Sequence, residues 1–354
     1  MTRFRLPTDC LLSLFFCLGL CFASVLPAHS EELVLLNWDE YMDKTLLADF
    51  EKETGIHVRE VVFVSEEERD ALLAQTNGAG YDVAVVQAKD IQTYVNSQWL
   101  APIPADKIPN LSHIANKWRN TYPETEQYSV PLLWGTLGIG YRKDLYKGDV
   151  SSWMALLRPA PELKGKIMML SDAIAMRSIA IKSLGYSMNN PDKKALDESA
   201  ALLLAQKPFV TYGYMGMGEK SEFITGDCWM ALLFNGDAIT LGKLEPNMAF
   251  EVPKEGTLLW VDSFTILKAS KKQAEAARLI DFFHRPQNAA RLAEAVHYAT
   301  VNEAAKPFLS AEHLNNPIIH PPQAVLDRSE FTKNLPAKAL KNIRSLHIQL
   351  THKE

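Results

Sequence analysis

Three short segments of the 354-residue chain set aromatic rings beside carboxylates. They are Trp38-Asp39-Glu40-Tyr41, Tyr81-Asp82 and Trp260-Val261-Asp262. A tryptophan face attracts an ammonium by about 0.5–2 kcal/mol, more as water is excluded. A nearby carboxylate adds charge-assisted hydrogen bonds. The combination suits an organic cation. A single pair of this kind is ordinary core or rim packing, so the reading rests on the set.

Other chemistries find little support. The nine histidines are scattered, with no His-x-x-x-His pair, and there is no Cys-x-x-Cys, so no zinc site is indicated. A Gly-x-Ser-x-Gly elbow is absent as well. Gly213 to Ser221 (GYMGMGEKS) approaches a phosphate loop, but Glu219 stands where the lysine must follow the second glycine, and the segment reads as a flexible surface loop. Gly135 to Gly140 (GTLGIG) lacks the order and following helix of a dinucleotide fingerprint and reads as a crossing strand. No catalytic residue, metal or cofactor is expected. With 37 Lys+Arg against 42 Asp+Glu, net −5, and no basic cluster interleaved with aromatics, nucleic acid is not an expected partner.

The elements that must position these residues alternate. Leu33 to Leu36 reads as a strand, Lys44 to Glu53 as a helix stopped by Gly55, and Val58 to Val64 as a strand. Glu67 to Gln75 (helix), Tyr81 to Val86 (buried strand) and Asp90 to Ser97 (helix) continue the alternation, which the Pro-containing stretch Ala101 to Pro109 breaks. Lys166 to Leu170 and Cys228 to Phe234 read as strands. Ala173 to Leu184, Ala195 to Ala205, Gln273 to His284 and Pro286 to Val296 read as helices, the last with Pro at its start. This is an α/β pattern with a largely parallel sheet. Hydrophobic residues at 47% and charged residues at 22% fit a folded protein, and the length suggests two domains of roughly 100–200 residues.

Residues 1–30 stand apart. Arg3 and Arg5, the apolar run Leu11 to Val25 and the small-x-small site Ala28-His29-Ser30 predict a secretory signal peptide. The run is short of the ~20 residues a membrane span needs. Leu20 before Cys21 is also a poor lipid-attachment site. Cys10, Cys17 and Cys21 leave with the signal, so only Cys228 remains, within an apolar run, as a small buried hydrophobe without a disulfide partner. The protein is expected to work outside the cytoplasm.

Beyond composition and pattern, the chain resembles a known family. Asn37-Trp38-Asp39-Glu40-Tyr41, Phe50 to Ile56 (FEKETGI), Gly80-Tyr81-Asp82-Val83, Pro131-Leu132-Leu133-Trp134-Gly135, Leu184-Gly185-Tyr186-Ser187, Phe234-Asn235-Gly236, Trp260-Val261-Asp262-Ser263 and Arg285-Pro286 occur in the order and spacing of bacterial periplasmic spermidine/putrescine-binding proteins. The resemblance covers nearly all of the chain after residue 30. It implies a two-lobed type II periplasmic binding protein fold with a ligand cleft between the lobes. Residues 31–136 plus 261–305 would form lobe 1, and 137–260 plus 306–354 lobe 2. Closure would bury a polyamine and present a new surface to a membrane partner.

Carried over by position, Trp38 and Tyr41 belong to an aromatic cage around the methylene chain, with Trp260 stacked beside it. Asp172 and Asp262 take up ammonium groups toward the two ends of the cleft. The chain departs from the family at Gln87 and Lys89, where a hydroxyl and an aromatic are usual. It has Phe234 in place of Trp, and Ala175 in place of an acid. Losing one partner of a buried charge pair costs about 2–5 kcal/mol. An inward Lys89 adds repulsion of up to about 4 kcal/mol. Altered polyamine selectivity is therefore expected. Asp39 is a candidate for compensation, by pairing with Lys89 or meeting the ligand, while Asp90 and Asp237 are read as solvated surface acids. The implied role is a monomeric receptor delivering spermidine or putrescine to the membrane permease complex of an ABC importer. The alternative is a norspermidine or spermidine sensor acting on a membrane-bound GGDEF/EAL cyclic-di-GMP enzyme that controls biofilm formation.

Overall fold

A computed structural model describes residues 32–333, 335 and 337–352. The expected signal segment, with Cys10, Cys17 and Cys21, lies outside the described residues. The chain opens as its hydrophobic pattern dictates. Strand β1 (Glu32–Trp38) is flanked in parallel by β2 (His57–Phe63) and β3 (Val83–Gln87). Parallel neighbours need crossovers, and the helices Lys44–Thr54 and Glu66–Thr76 supply them. The Asp43 side chain caps the first helix at Thr45 N, and Gly55, at φ 73°, ends it.

The remaining strands are β4 (Leu100–Ala101), β5 (Val130–Arg142), β6 (Ile167–Leu170), β7 (Val210–Gly213), β8 (Met230–Phe234), β9 (Met248–Glu251), β10 (Leu258–Leu267), β11 (Ala299–Thr300) and β12 (Glu330–Phe331). They assemble in the order β2-β1-β3-β10-β5-β8-β6-β7, with β4 and β12 on β10, and β9 and β11 on β5. The expected crossing strand at Gly135–Gly140 is the middle of β5. From Val130 to Thr136 it pairs antiparallel with β10, and from Leu137 to Tyr141 it pairs with β8.

Apolar packing changes partners at the same place. One core gathers Leu33 through Trp134 with Trp260 through Ile319, and a second gathers Leu137 through Leu258 with Leu350. A smaller cluster around Met168, Phe223 and Leu241 extends the second. The molecule thus forms two α/β lobes joined through β5 and β10. Leu309 and Ile319 pack in the first core, so that packing runs beyond residue 305.

Cys228 is buried and donates to the Met230 carbonyl at 3.1 Å; burial pushes its thiol up to about 12. Among the described residues no helix is long and apolar enough to cross a membrane, and no group of three or more His, Cys, Asp or Glu side chains could hold a metal ion.

Candidate functional site

A cavity of about 480 Å³ lies where the lobes meet. Its walls come from strand ends: Trp38 closes β1, Gln87 closes β3, Leu170 closes β6 and Phe234 closes β8. The carboxyl ends of parallel strands are where α/β sheets usually receive ligands.

Four rings run in sequence along one wall. Tyr41 lies 5.5 Å from Tyr298, Tyr298 meets Trp260 edge-on at 4.9 Å, and Trp260 meets Phe234 edge-on at 5.9 Å. Trp38 packs at 4.5 Å on Phe63. Two glycines let the rings lie against backbone. A Cβ on Gly236 would stand 2.4 Å from the Tyr298 ring, and one on Gly135 2.4 Å from the Trp260 ring.

Asp262 sits among these rings and is 4% exposed. It is paired with Gln87 across β3, and on the β5 side the register slips beside it, Leu133 facing Asp262 while Pro131 faces Ser263. Proline has no N–H for the ladder, so an irregularity here follows from the sequence of β5. Burial pushes the Asp262 carboxyl up to about 7, against the opposing effects of Tyr41, Arg69 and Lys89. Although Tyr41 faces it, neither Tyr41 Oη nor Asp262 Oδ1 completes a hydrogen bond of good geometry. Trp38 Nε1 and Trp260 Nε1 also have no protein partner. Buried polar atoms left unpaired cost about 1–3 kcal/mol each, and here they cluster on residues lining one cavity.

A second acid faces the same space. Tyr298 Oη donates to Asp237 Oδ1 at 3.0 Å across the lobes, and burial pushes the Asp237 carboxyl up to about 6. Two acids held above the ordinary carboxylate range, Asp262 buried and Asp237 half-buried, beside aromatic faces, suit a ligand that brings positive charge on an apolar chain.

Of the residues singled out from sequence, Trp38, Asp39, Tyr41, Gln87, Phe234, Trp260 and Asp262 line this cavity; Lys89 and Asp172 do not. Lys89 Nζ is engaged by both Glu66 oxygens at 2.7 Å and by Asp90 at 2.9 Å. Burial opposes its charge, but Asp90, Glu66 and Asp172 more than offset this and hold its pKa well above the ordinary value. Asp172 caps the helix Ala173–Ser183, accepting from Ile174 N at 2.8 Å and Ala175 N at 3.0 Å. Asp39 is exposed at the rim, accepts from Glu40 N at 3.1 Å and does not pair with Lys89.

Three further expectations are corrected. Asp90 is not a free surface acid but binds Arg69 and Lys89. Asp237 lines the cavity. The Gly213–Ser221 segment is not merely a surface loop, since Met215 to Gly218 form part of the wall and Met215 is buried. Sequence reasoning also missed Tyr298. It follows His297, whose φ of 59° turns the chain out of the helix Pro286–Val296, and no acid or aromatic beside it gave a signal.

The family model described as bacterial extracellular solute-binding protein matches residues 45–321. The chain belongs to that family. It is a solute-binding protein and not an enzyme. It is 29% identical over 315 residues to the spermidine/putrescine-binding periplasmic protein of Escherichia coli K12, covering 88% of this chain and 90% of that one. Identity is 31% over 315 residues with spermidine/putrescine-binding periplasmic protein 1 of Haemophilus influenzae, covering 87% and 86%. The crystal structure of the spermidine/putrescine ABC transporter substrate-binding protein PotD from Streptococcus pneumoniae superposes with a TM-score of 0.78 at 29% identity, covering 91% of this chain and 98% of that chain. The two-lobed α/β architecture of this solute-binding protein is therefore shared with proteins whose names carry a polyamine.

Proposed function

We propose that this protein is a periplasmic receptor for a polyamine, which it delivers to the permease of an ABC importer. One observation carries the reading: the Asp262 carboxylate, with an oxygen that no protein group satisfies, lies buried inside a wall of aromatic rings. An ammonium would supply both the missing hydrogen bond and the missing charge. The methylene chain behind it would lie on Tyr41, Trp260 and Phe234. The relatives' printed names supply the ligand class and the transport role.

The test is calorimetric titration of the chain from Glu31 onward, freed of bound ligand by unfolding and refolding, with putrescine, norspermidine, spermidine and spermine. Micromolar or tighter binding, abolished in Asp262→Ala and Trp260→Ala, is the expected result. Absence of heat with all four amines would overturn the reading. A sensory role for the same ligand is favoured by the residues at which the chain departs from the transport family's pattern, Lys89 and Ala175. Uptake of radiolabelled polyamine by a strain lacking the gene separates the two roles: loss of uptake supports import, and unchanged uptake with altered biofilm supports sensing.

A further inference from the structure

Just beyond three strand ends that line the cavity, the chain places charge. Glu66 follows Phe63 by three residues, Lys89 follows Gln87 by two, and Asp172 follows Leu170 by two; Phe63, Gln87 and Leu170 all line the cavity. Glu66 and Lys89 belong to the first lobe and Asp172 to the second.

The ammonium of Lys89 lies between Glu66, at 2.7 Å to both oxygens, and Asp90, at 2.9 Å. Arg69, which is fully buried, backs this group, reaching Asp90 at 3.2 Å, Asp70 at 3.1 Å and Tyr94 Oη at 2.6 Å. Tyr214, on the cavity wall, feels the same group. Burial and the carboxylates of Asp172, Glu67 and Glu66 raise its pKa, while Lys89 opposes them. A cluster of acids beside the wall of an amine-binding cleft would ordinarily attract a second ammonium. Here an amine belonging to the protein already takes their hydrogen bonds.

We infer that Lys89 is a specificity-determining residue: its side chain neutralises the acids just behind the cavity wall, so a ligand engages the protein through Asp262 and the Tyr298–Asp237 pair alone. This rests on the polyamine reading proposed above. A further ammonium extended toward Glu66 meets Lys89 and Arg69 and finds its acids already neutralised, so it adds no affinity. The cleft then selects a short amine and does not reward the longer members of the series.

Calorimetry with putrescine and spermidine tests this on the unmodified protein and on two variants. In the wild type, the triamine is expected to bind no more than about threefold tighter than the diamine. In Lys89→Met, which frees Glu66 while Asp90 keeps Arg69, the triamine-to-diamine affinity ratio should rise by about tenfold or more. Lys89→Arg keeps the cation and should keep the wild-type ratio. If Lys89→Met does not fold, the wild-type ratio still decides, because a triamine bound more than about tenfold tighter than the diamine overturns the inference. A folded Lys89→Met with an unchanged ratio overturns it equally. A wild-type protein that binds neither amine removes the polyamine reading itself, an outcome distinct from the other two.

Discussion

Asp262 is held where its charge is disfavoured until something positive arrives. Its carboxyl titrates near 7 in the fold and near 3.9 in an unfolded chain. Between those values the folded state binds more protons, so the ionised group costs stability increasingly as pH rises through that window and by a constant amount above it. Asp262→Asn removes the charge. The ligand-free variant should gain on the wild type from near zero at pH 4 to up to about 4 kcal/mol at pH 8. Denaturant melts at pH 4, 6 and 8 check this, and a difference that does not vary with pH would contradict it. The same variant should lose the stabilisation that saturating amine gives the wild type, about 2.7 kcal/mol at a hundredfold excess over Kd. At this scale the sequence was partly legible. The Trp260-Val261-Asp262 segment advertised its chemistry because ring and acid are near neighbours in the chain. That Lys89 and Asp172 lie off the cavity wall was not legible, because their partners, Glu66 across the first lobe and the helix N-terminus at Ile174 and Ala175, are set by turns after the strand ends and not by residue type.

Secondary-structure elements set the rings against backbone. Phe234 ends β8 and the helix Asn235–Leu244 starts at once, so Gly236 presents bare backbone to the Tyr298 ring. A Cβ at this position has no room and must push Tyr298 off Trp260 and Asp237. Gly236→Ala is therefore expected to weaken amine binding by about tenfold or more, the cost of misplacing an aromatic contact and one hydrogen bond. Circular dichroism should remain that of the wild type. Titration calorimetry measures the effect, and an unchanged Kd would show that Tyr298 is not part of the binding wall. Asn235 ties the same junction together. Its Oδ1 accepts from Thr136 N at 3.1 Å, and its Nδ2 donates to the Ile318 carbonyl at 3.1 Å. Many of the longer elements were readable, since alternating apolar runs and helical spacing, with breaks such as Gly55 and Pro286, locate them to within a few residues, but the helix Asn235–Leu244 was not among them. The splitting of β5 between two sheet partners was not readable, because every residue from Val130 to Gly140 is buried and a continuous apolar strand carries no mark of which neighbour it pairs with.

At the scale of the whole molecule the two lobes contribute acids of similar character. Asp262 comes from the first core and titrates near 7, and Asp237 comes from the helix after β8 in the second lobe and titrates near 6. An ammonium binds the ionised carboxylate, so protonation competes with the ligand. From Asp262 alone, amine affinity should fall roughly 50-fold between pH 7 and pH 5, and Asp237 should steepen the loss below pH 6. Calorimetric titrations across pH 5 to 8 read this directly. A Kd independent of pH over that range would mean that neither acid meets the ligand's charge. In Asp262→Asn any residual binding should keep only the shallower dependence centred near pH 6.

The sequence by itself determined the α/β class, the position of most of the longer helices and strands, and the aromatic and acidic residue types at the strand ends, because these follow from local periodicity, caps and turn residues within a few positions of one another. It also carried the family, through short blocks preserved in order along the chain. Only the tertiary structure decided which acids face the cavity. Asp237 and Tyr298 meet across the lobes 61 residues apart in sequence, and Lys89 turns from the cleft to Glu66, 23 residues away. Neither choice leaves a trace in local pattern, because burial, desolvation and the pairing of charges are properties of the neighbours that folding brings together.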